Sequence, residues 1–309
     1  MLEQLILLVL LLGVLGYSAG WVIRSLVELG RRFNISEFVL GFVVIGIATS
    51  LPELSVGVNS IIKGTPGLSL GNLLGASLVL LSLIVGLAAV LQRGIFLGHS
   101  LRSRDLVVGS ALIAAPIFML VDGRFSPLEG WFLIFLYASY LLYLYFNRVE
   151  VALRTLDEKR FSLTHLLVGG IFGLIGLVVA SHYIVNLSLE IAQVFQIKPL
   201  IVGVLILGIG TNLPEIALVL RARRTGAQKL VLGDLLGSAA ANTLIIGIVG
   251  IGTGVVFTDQ ITVLIAGLFL FTLILLFNIF IRTKAVLSVV EGVILLLIYL
   301  IFVGLQLFT

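Results

Sequence analysis

Two glutamates set inside apolar stretches, Glu53 and Glu215, are the residues best placed to do chemistry. Each closes the same motif: GIATSLPE over 46–53 and GIGTNLPE over 208–215. The likeness extends further, because residues 41–80 align without a gap onto 203–242 at a constant offset of 162, with 14 of 40 pairs identical. The other dense match is GNLLGAS over 71–77 against GDLLGSA over 233–239. A carboxylate at membrane depth costs about 3 kcal/mol or more, so such residues mark function. Two of them at matching positions of a duplicated unit point to an ion site where the copies meet.

The neighbouring residues suit the same chemistry. Pro52 and Pro214 precede the glutamates inside what reads as membrane helix, where proline donates no hydrogen bond and crowds the carbonyl four residues back, here Ala48 and Gly210. Gly46, Gly208 and Gly210 permit further unwinding. Freed carbonyls at membrane depth are tolerated where they line a cavity. Carboxylate, hydroxyl (Thr49, Ser50, Thr211) and carbonyl oxygens are the donors a hard cation such as Ca²⁺ or Na⁺ takes. The segment holds neither histidine nor cysteine, which argues against zinc or copper.

The surroundings are a membrane protein's. The chain is 60% hydrophobic and 11% charged, against about 25% charged for a soluble domain. It has no cysteine, so disulfides and thiolate metal sites are excluded. The start, MLEQLILLVLLLGVLG, lacks a basic n-region and reads as an uncleaved first helix. Ten stretches approach the roughly 20 apolar residues a crossing helix needs. They are 5–23, 38–62, 68–91, 106–121, 128–146, 163–191, 200–220, 230–256, 261–281 and 286–308, the fourth being short and containing Pro116. No run shows the alternation of a barrel strand. The expected fold is therefore an all-α membrane protein with ten transmembrane helices. It divides into a five-helix repeat over 1–147, a polar linker over 148–162, and a second repeat over 163–309. Five is odd, so the copies must be inverted. Of 19 Lys and Arg residues, 16 fall on one side of this arrangement and 3 (Lys63, Arg124, Lys198) on the other. The positive-inside rule then places both termini outside. The charge of +4 is accounted for by topology, and nucleic acid is not needed as a partner.

The paired G-x-x-T-[SN]-L-P-E and G-[ND]-x-x-G motifs in an inverted five-plus-five arrangement resemble the α-repeats of the sodium/calcium exchangers, members of the calcium/cation antiporter superfamily. The absence of a large loop between the halves makes the chain similar to compact microbial members. The resemblance implies exchange of Ca²⁺ against Na⁺ or H⁺ by alternating access in the cell membrane, with no oligomer required. It implies ion ligation by Glu53 and Glu215, by Thr49, Ser50, Thr211, Asn212, Ser238 and Asn242, and by the carbonyls of Gly46 and Gly208. It also implies that the first and sixth helices slide across the central bundle. The chain departs from the family pattern at Ala76, Leu80 and Asn242, where Ser, Asn and Asp are common. The two-glutamate site for a divalent ion is intact, whereas a full set of sodium sites is not, so protons or fewer sodium ions are the expected counter-ion.

Several residues carry two readings. Asp234 is a helix cap or an access-path ligand. Asn72 and Ser77 divide evenly between lining the site and packing. His182 reads as an interfacial histidine rather than a proton relay. Rival functions are exchange of Mn²⁺ or another divalent ion and passive cation conduction. An enzyme is not expected, since no H-E-x-x-H motif occurs and no serine–histidine pair lies inside the repeat.

Overall fold

The computed structural model describes residues 2–32, 49–96, 103–146, 162–213, 215–216, 219, 228–256, 260–284 and 286–308. These are almost entirely helical. We number the helices α1 (Leu2–Arg32), α2 (Leu51–Ile62), α3 (Pro66–Leu91), α4 (Ser103–Leu120), α5 (Pro127–Phe146), α6 (Leu163–Val194), α7 (Pro199–Gly210), α8 (Gln228–Thr253), α9 (Gln260–Lys284) and α10 (Val289–Phe308). Among the described residues seven are long and apolar enough to cross a membrane, and α2, α4 and α7 are shorter apolar helices. Each falls on one of the stretches expected from the sequence. The linker 148–162 lies outside the described residues apart from Ser162, which caps α6 by accepting from the His165 N–H.

One expectation needs correction. Pro52 does not sit in mid-helix: Ser50 is a turn residue, and Pro52 stands in the first turn of α2. There a missing N–H costs nothing, because the first-turn amides have no partner within the helix. The second copy breaks at the matching place. α7 ends at Gly210, Thr211 and Asn212 form a turn, and helical backbone resumes at Leu213. Pro214 lies outside the described residues. Strands, not expected at all, occur as two-residue pieces in the connections: Ile95–Phe96 pairs with Val286–Leu287, and Arg124–Phe125 with Val255–Val256.

The halves make the same local structures beyond the aligned segment. Ser126 and Glu129 form a reciprocal capping box at the start of α5, with both the amide and the hydroxyl of Ser126 donating to Glu129 Oε2 at 2.7 Å. Ser288 and Glu291, 162 residues on, repeat it at the start of α10 with distances of 2.7 and 2.8 Å. Gly130 of α5 meets Gly247 of α8 backbone to backbone, and Gly292 of α10 meets Gly86 of α3 in the same manner. A helix of one half thus packs on a helix of the other, twice, through glycine pairs in which Gly130 and Gly292 stand 162 residues apart and Gly86 and Gly247 stand 161 apart.

The buried apolar residues form two clusters rather than one. The larger joins α3, α4, α5, α8, α9 and α10. The smaller joins α1 and α6, and reaches the rest through Val56, Leu68, Val202 and Leu207. Within the α1–α6 pair, Gly169, Gly173 and Gly176 admit Trp21, Ser18 and Val22 so closely that a Cβ on any of them would fall 2.3–2.8 Å from its neighbour.

Among the described glycines the closest approach to another helix's backbone runs between α3 and α7. A Cβ on Gly75 would lie 2.2 Å from the Val204 carbonyl, and one on Gly71 would lie 2.2 Å from that of Leu200. Gly203 presses back on Leu68 and Gly208 on Gly75. Small residues at this spacing let helix backbones touch. Gly75→Ala is expected to destabilise the fold by about 1–3 kcal/mol through overpacking against a carbonyl that cannot turn aside. Thermal unfolding in detergent measures this; an unchanged midpoint would mean the two helices can separate freely.

Candidate functional site

The α3–α7 contact carries both motif copies to one place in the interior. Thr49, Ser50 and Glu53 lie at the start of α2, and Thr211, Asn212 and Glu215 at the break after α7. Ser238 and Asn242 come from α8, and Asn72, Ala76, Ser77 and Leu80 from α3. All of these are buried, and each glutamate is only 3% exposed. Neither carboxylate faces the outer surface of the bundle.

Hydrogen bonds tie the two halves together at this level. Thr49 Oγ1 and Ser238 Oγ are 3.2 Å apart. Thr211 Oγ1 lies 3.3 Å from Asn72 Oδ1, so the threonine of the second copy meets the second motif of the first. Asn242 Nδ2 donates to Ser77 Oγ at 3.1 Å, and Ser77 donates to the Leu73 carbonyl at 3.0 Å. Every one of these contacts except the last spans residues from opposite halves.

Donor capacity decides how the network is satisfied. Thr211 has one hydroxyl proton, and the carbonyl of Leu207, 3.0 Å away, also claims it. Turning the Asn72 amide, so that its NH₂ donates to Thr211, leaves that proton to Leu207 and points the amide oxygen where no partner stands among the described residues. Glu53 Oε2 and Asn242 Oδ1 are likewise buried without a hydrogen-bond partner among the described residues. Buried polar atoms are ordinarily matched, so these unmatched oxygens call for an explanation such as a cation.

The backbone contributes as well. Asn212 Nδ2 donates to the Gly208 carbonyl at 2.7 Å, fixing its direction just before the break. A π-helical segment, Gly203–Leu207, runs into Gly208, and another, Val79–Ile84, follows Ser77 on α3. Such wide turns loosen the carbonyl ladder and recur at functional sites. Among the described residues no three His, Cys, Asp or Glu side chains converge. Buried carboxylates accompanied by neutral oxygens are the donors that suit a hard cation.

Glu53, Thr49, Ser50, Thr211, Asn212, Glu215, Gly208, Ser238 and Asn242 are all buried, and hydrogen bonds bring together Thr49 with Ser238, Thr211 with Asn72, and Asn242 with Ser77. Gly46 lies outside the described residues, as does the side chain of Asp234. His182 is exposed, edge-on to Tyr183 at a centroid distance of 5.6 Å, and takes no part. Asn72 and Ser77, which sequence reasoning left evenly divided, belong to the network. The available signal was Asn72's register: it matches Asp234 in the second copy, a position polar in both.

Buried carboxylates, hydroxyls and interrupted helices within a bundle of membrane-length helices make up a membrane transport protein. Residues 3–146 and 165–308 each match the family model described as sodium/calcium exchanger protein, the second match again displaced by 162 residues. An uncharacterized membrane protein of Methanocaldococcus jannaschii is 31% identical over 229 residues, covering 74% of this chain and 75% of its own length. The sodium/calcium exchanger MaX1 of Methanosarcina acetivorans is 27% identical over 348 aligned positions, covering 96% of each. Among solved structures, the sodium-calcium exchanger NCX_Mj soaked with Na⁺ and Sr²⁺ superposes with a TM-score of 0.67 at 26% identity over 98% of both chains. The chain belongs to the sodium/calcium exchanger family.

Replacing Asn212 with alanine frees the Gly208 carbonyl. The expected cost is about 1 kcal/mol, the net value of one buried hydrogen bond. A melting temperature in detergent equal to that of the unaltered protein would show that this carbonyl is held by other means.

Proposed function

We propose that the protein is a secondary-active antiporter that exchanges Ca²⁺ for Na⁺ or H⁺ by alternating access. The observation that carries this reading is the pair of hydrogen bonds between the motif copies, Thr49 with Ser238 and Thr211 with Asn72, in an interior that also buries Glu53 and Glu215. The ten helical elements are ten crossings, arranged as inverted repeats over 1–147 and 163–309 with both termini outside the cell membrane. The matched capping boxes and the exchanged glycine contacts support this symmetry.

Glu53 and Glu215 hold the divalent ion. Thr49, Ser50, Thr211, Asn212, Ser238 and Asn242 line the site as further oxygens, and the carbonyls of Gly46 and Gly208 complete it. Two carboxylates enclosed in a dry site repel each other and lack solvation, so moving the empty, doubly charged site between faces is costly. One Ca²⁺ or two monovalent cations neutralise it. Exchange rather than leak follows from that balance.

The counter-ion turns on one side of the site. Ala76 and Leu80 are buried where the family pattern has hydroxyl and amide oxygens, and Asn242 replaces a carboxylate. These losses favour protons, or fewer sodium ions, as the driving species. Radioactive calcium uptake into proteoliposomes under separate Na⁺ and pH gradients decides it: uptake driven by pH alone supports proton coupling, and uptake driven by Na⁺ alone rejects it. Glu53→Gln and Glu215→Gln are each expected to reduce exchange to background while the protein still inserts. Near-normal transport in either variant contradicts the site. The double substitution Leu80→Asn with Asn242→Asp is expected to strengthen the dependence on Na⁺, and no change would mean that those positions do not set it.

A further inference from the structure

The contact between α2 and α6 is polar along a single stripe. Ser55 and Asn59 on α2, and Lys63 at its C-terminal cap, recur every four residues and all bond to α6. The Ser55 hydroxyl lies 3.1 Å from the Leu177 carbonyl and 2.8 Å from Ser181 Oγ. Asn59 Nδ2 donates to Ser181 Oγ at 2.7 Å and to the Ser55 carbonyl at 3.1 Å. Lys63 Nζ donates to Asn186 Oδ1. Ser181 is thus the hub that α2 grips.

Seven residues further along the same face of α6 lies Ser188. It is completely buried, and its hydroxyl has no hydrogen-bond partner among the described residues. A helical serine can return its proton to a carbonyl of the preceding turn, as Ser181 does to Val178 at 3.1 Å. Ser188 does not. Seven residues are almost two full turns, so Ser188 repeats the orientation of Ser181 about 10 Å along the axis.

We propose that Ser188 is a second docking position for the same pair on α2. When α6 moves along its axis by about two turns, Ser188 replaces Ser181 opposite Ser55 and Asn59. The proposal rests on the carrier reading, in which α1 and α6 shift against the remaining helices. A shift of one turn would bring Ile184 or Val185 to that place, both fully buried and apolar, and would leave the Asn59 amide unmatched. Two registers are therefore stable and the one between them is not, as a discrete ratchet between packed elements requires. α1 travels with α6, because the glycines of α6 lock the two together.

The device belongs to one face of the molecule only. At the offset of 162, Ser55 and Asn59 correspond to Ala217 and Arg221, and Ser181 and Ser188 to Ala19 and Leu26. The stops act on the side of the site where α2 leads away from Glu53.

The chain contains no cysteine, so paired cysteines read the register directly. Asn59→Cys is combined with Ser181→Cys, with Ser188→Cys, or with Val185→Cys as the intermediate control. Each protein is reconstituted and oxidised with Ca²⁺, with Na⁺, at low pH, or without added ions. Both serine positions are expected to cross-link, in proportions that move oppositely as the ions change, and Val185→Cys is expected not to. Either cross-link should stop calcium uptake until reductant is added. If the Ser188 position never cross-links under conditions where the Ser181 position does, the second register is overturned. Should Asn59→Cys fail to fold, Ser55→Cys with Ser188→Cys reads the same distance. Single Ser181→Ala and Ser188→Ala substitutions should shift the balance of registers in opposite directions by about fivefold, the worth of one net hydrogen bond; shifts in the same direction overturn the proposal. Cross-linking at both positions in a protein that carries no calcium would sink the transport reading but leave the two registers standing.

Discussion

The structure depends on keeping two carboxylates in an interior that cannot solvate them. Glu53 and Glu215 stand where water is scarce and apolar packing surrounds them on the α3, α7 and α8 sides. An isolated charge there would be prohibitive, so the chain must supply counter-groups or admit a cation. It supplies hydroxyls, amides and carbonyls in quantity, yet places no Lys, Arg or His among the site residues. The requirement for positive charge is thus left to something that comes and goes. A resident lysine would satisfy the carboxylates permanently and abolish the site's use.

Bringing those groups together requires helices that stop in the interior, and stopping is safe only where neighbours press close. The Gly71, Gly75, Gly203 and Gly208 contacts bring α3 against α7 backbone to backbone, so the break at Thr211 is enclosed by protein rather than lipid. Asn212 then takes up the Gly208 carbonyl that the break leaves near the site. The glycines, the break and the glutamate are three parts of one arrangement. Each would be destabilising without the others.

Much of this could be read from residues, and the limits follow from physics. The offset of 162 exposed the duplication because the motif glycines, prolines and glutamates admit few substitutes. The capping boxes Ser126–Glu129 and Ser288–Glu291 lie outside the aligned forty residues, and their equivalence emerged only when the helices were placed. Pro52 was read as a mid-helix kink because apolar composition continues across the break; hydropathy does not register where a helix ends inside a membrane. Asn72 stayed ambiguous for a related reason. A buried amide lines a site or merely packs according to its partner, and its partner, Thr211, is 139 residues away.

The division into two apolar clusters connects the site to movement. Removing a polar group from its partner in a dry interior is expensive, which argues against sliding surfaces that are richly hydrogen-bonded. Among the described residues the α1–α6 pair meets the other helices through a few apolar residues and one polar stripe. The apolar part can slide with little change in energy, since methyl groups have no directional partners to lose. The polar stripe supplies the directionality, holding the pair wherever a matching hydroxyl arrives. A carrier needs both properties, a low barrier between states and definite resting places. A uniformly apolar interface would offer the first without the second, and a uniformly polar one the second without the first.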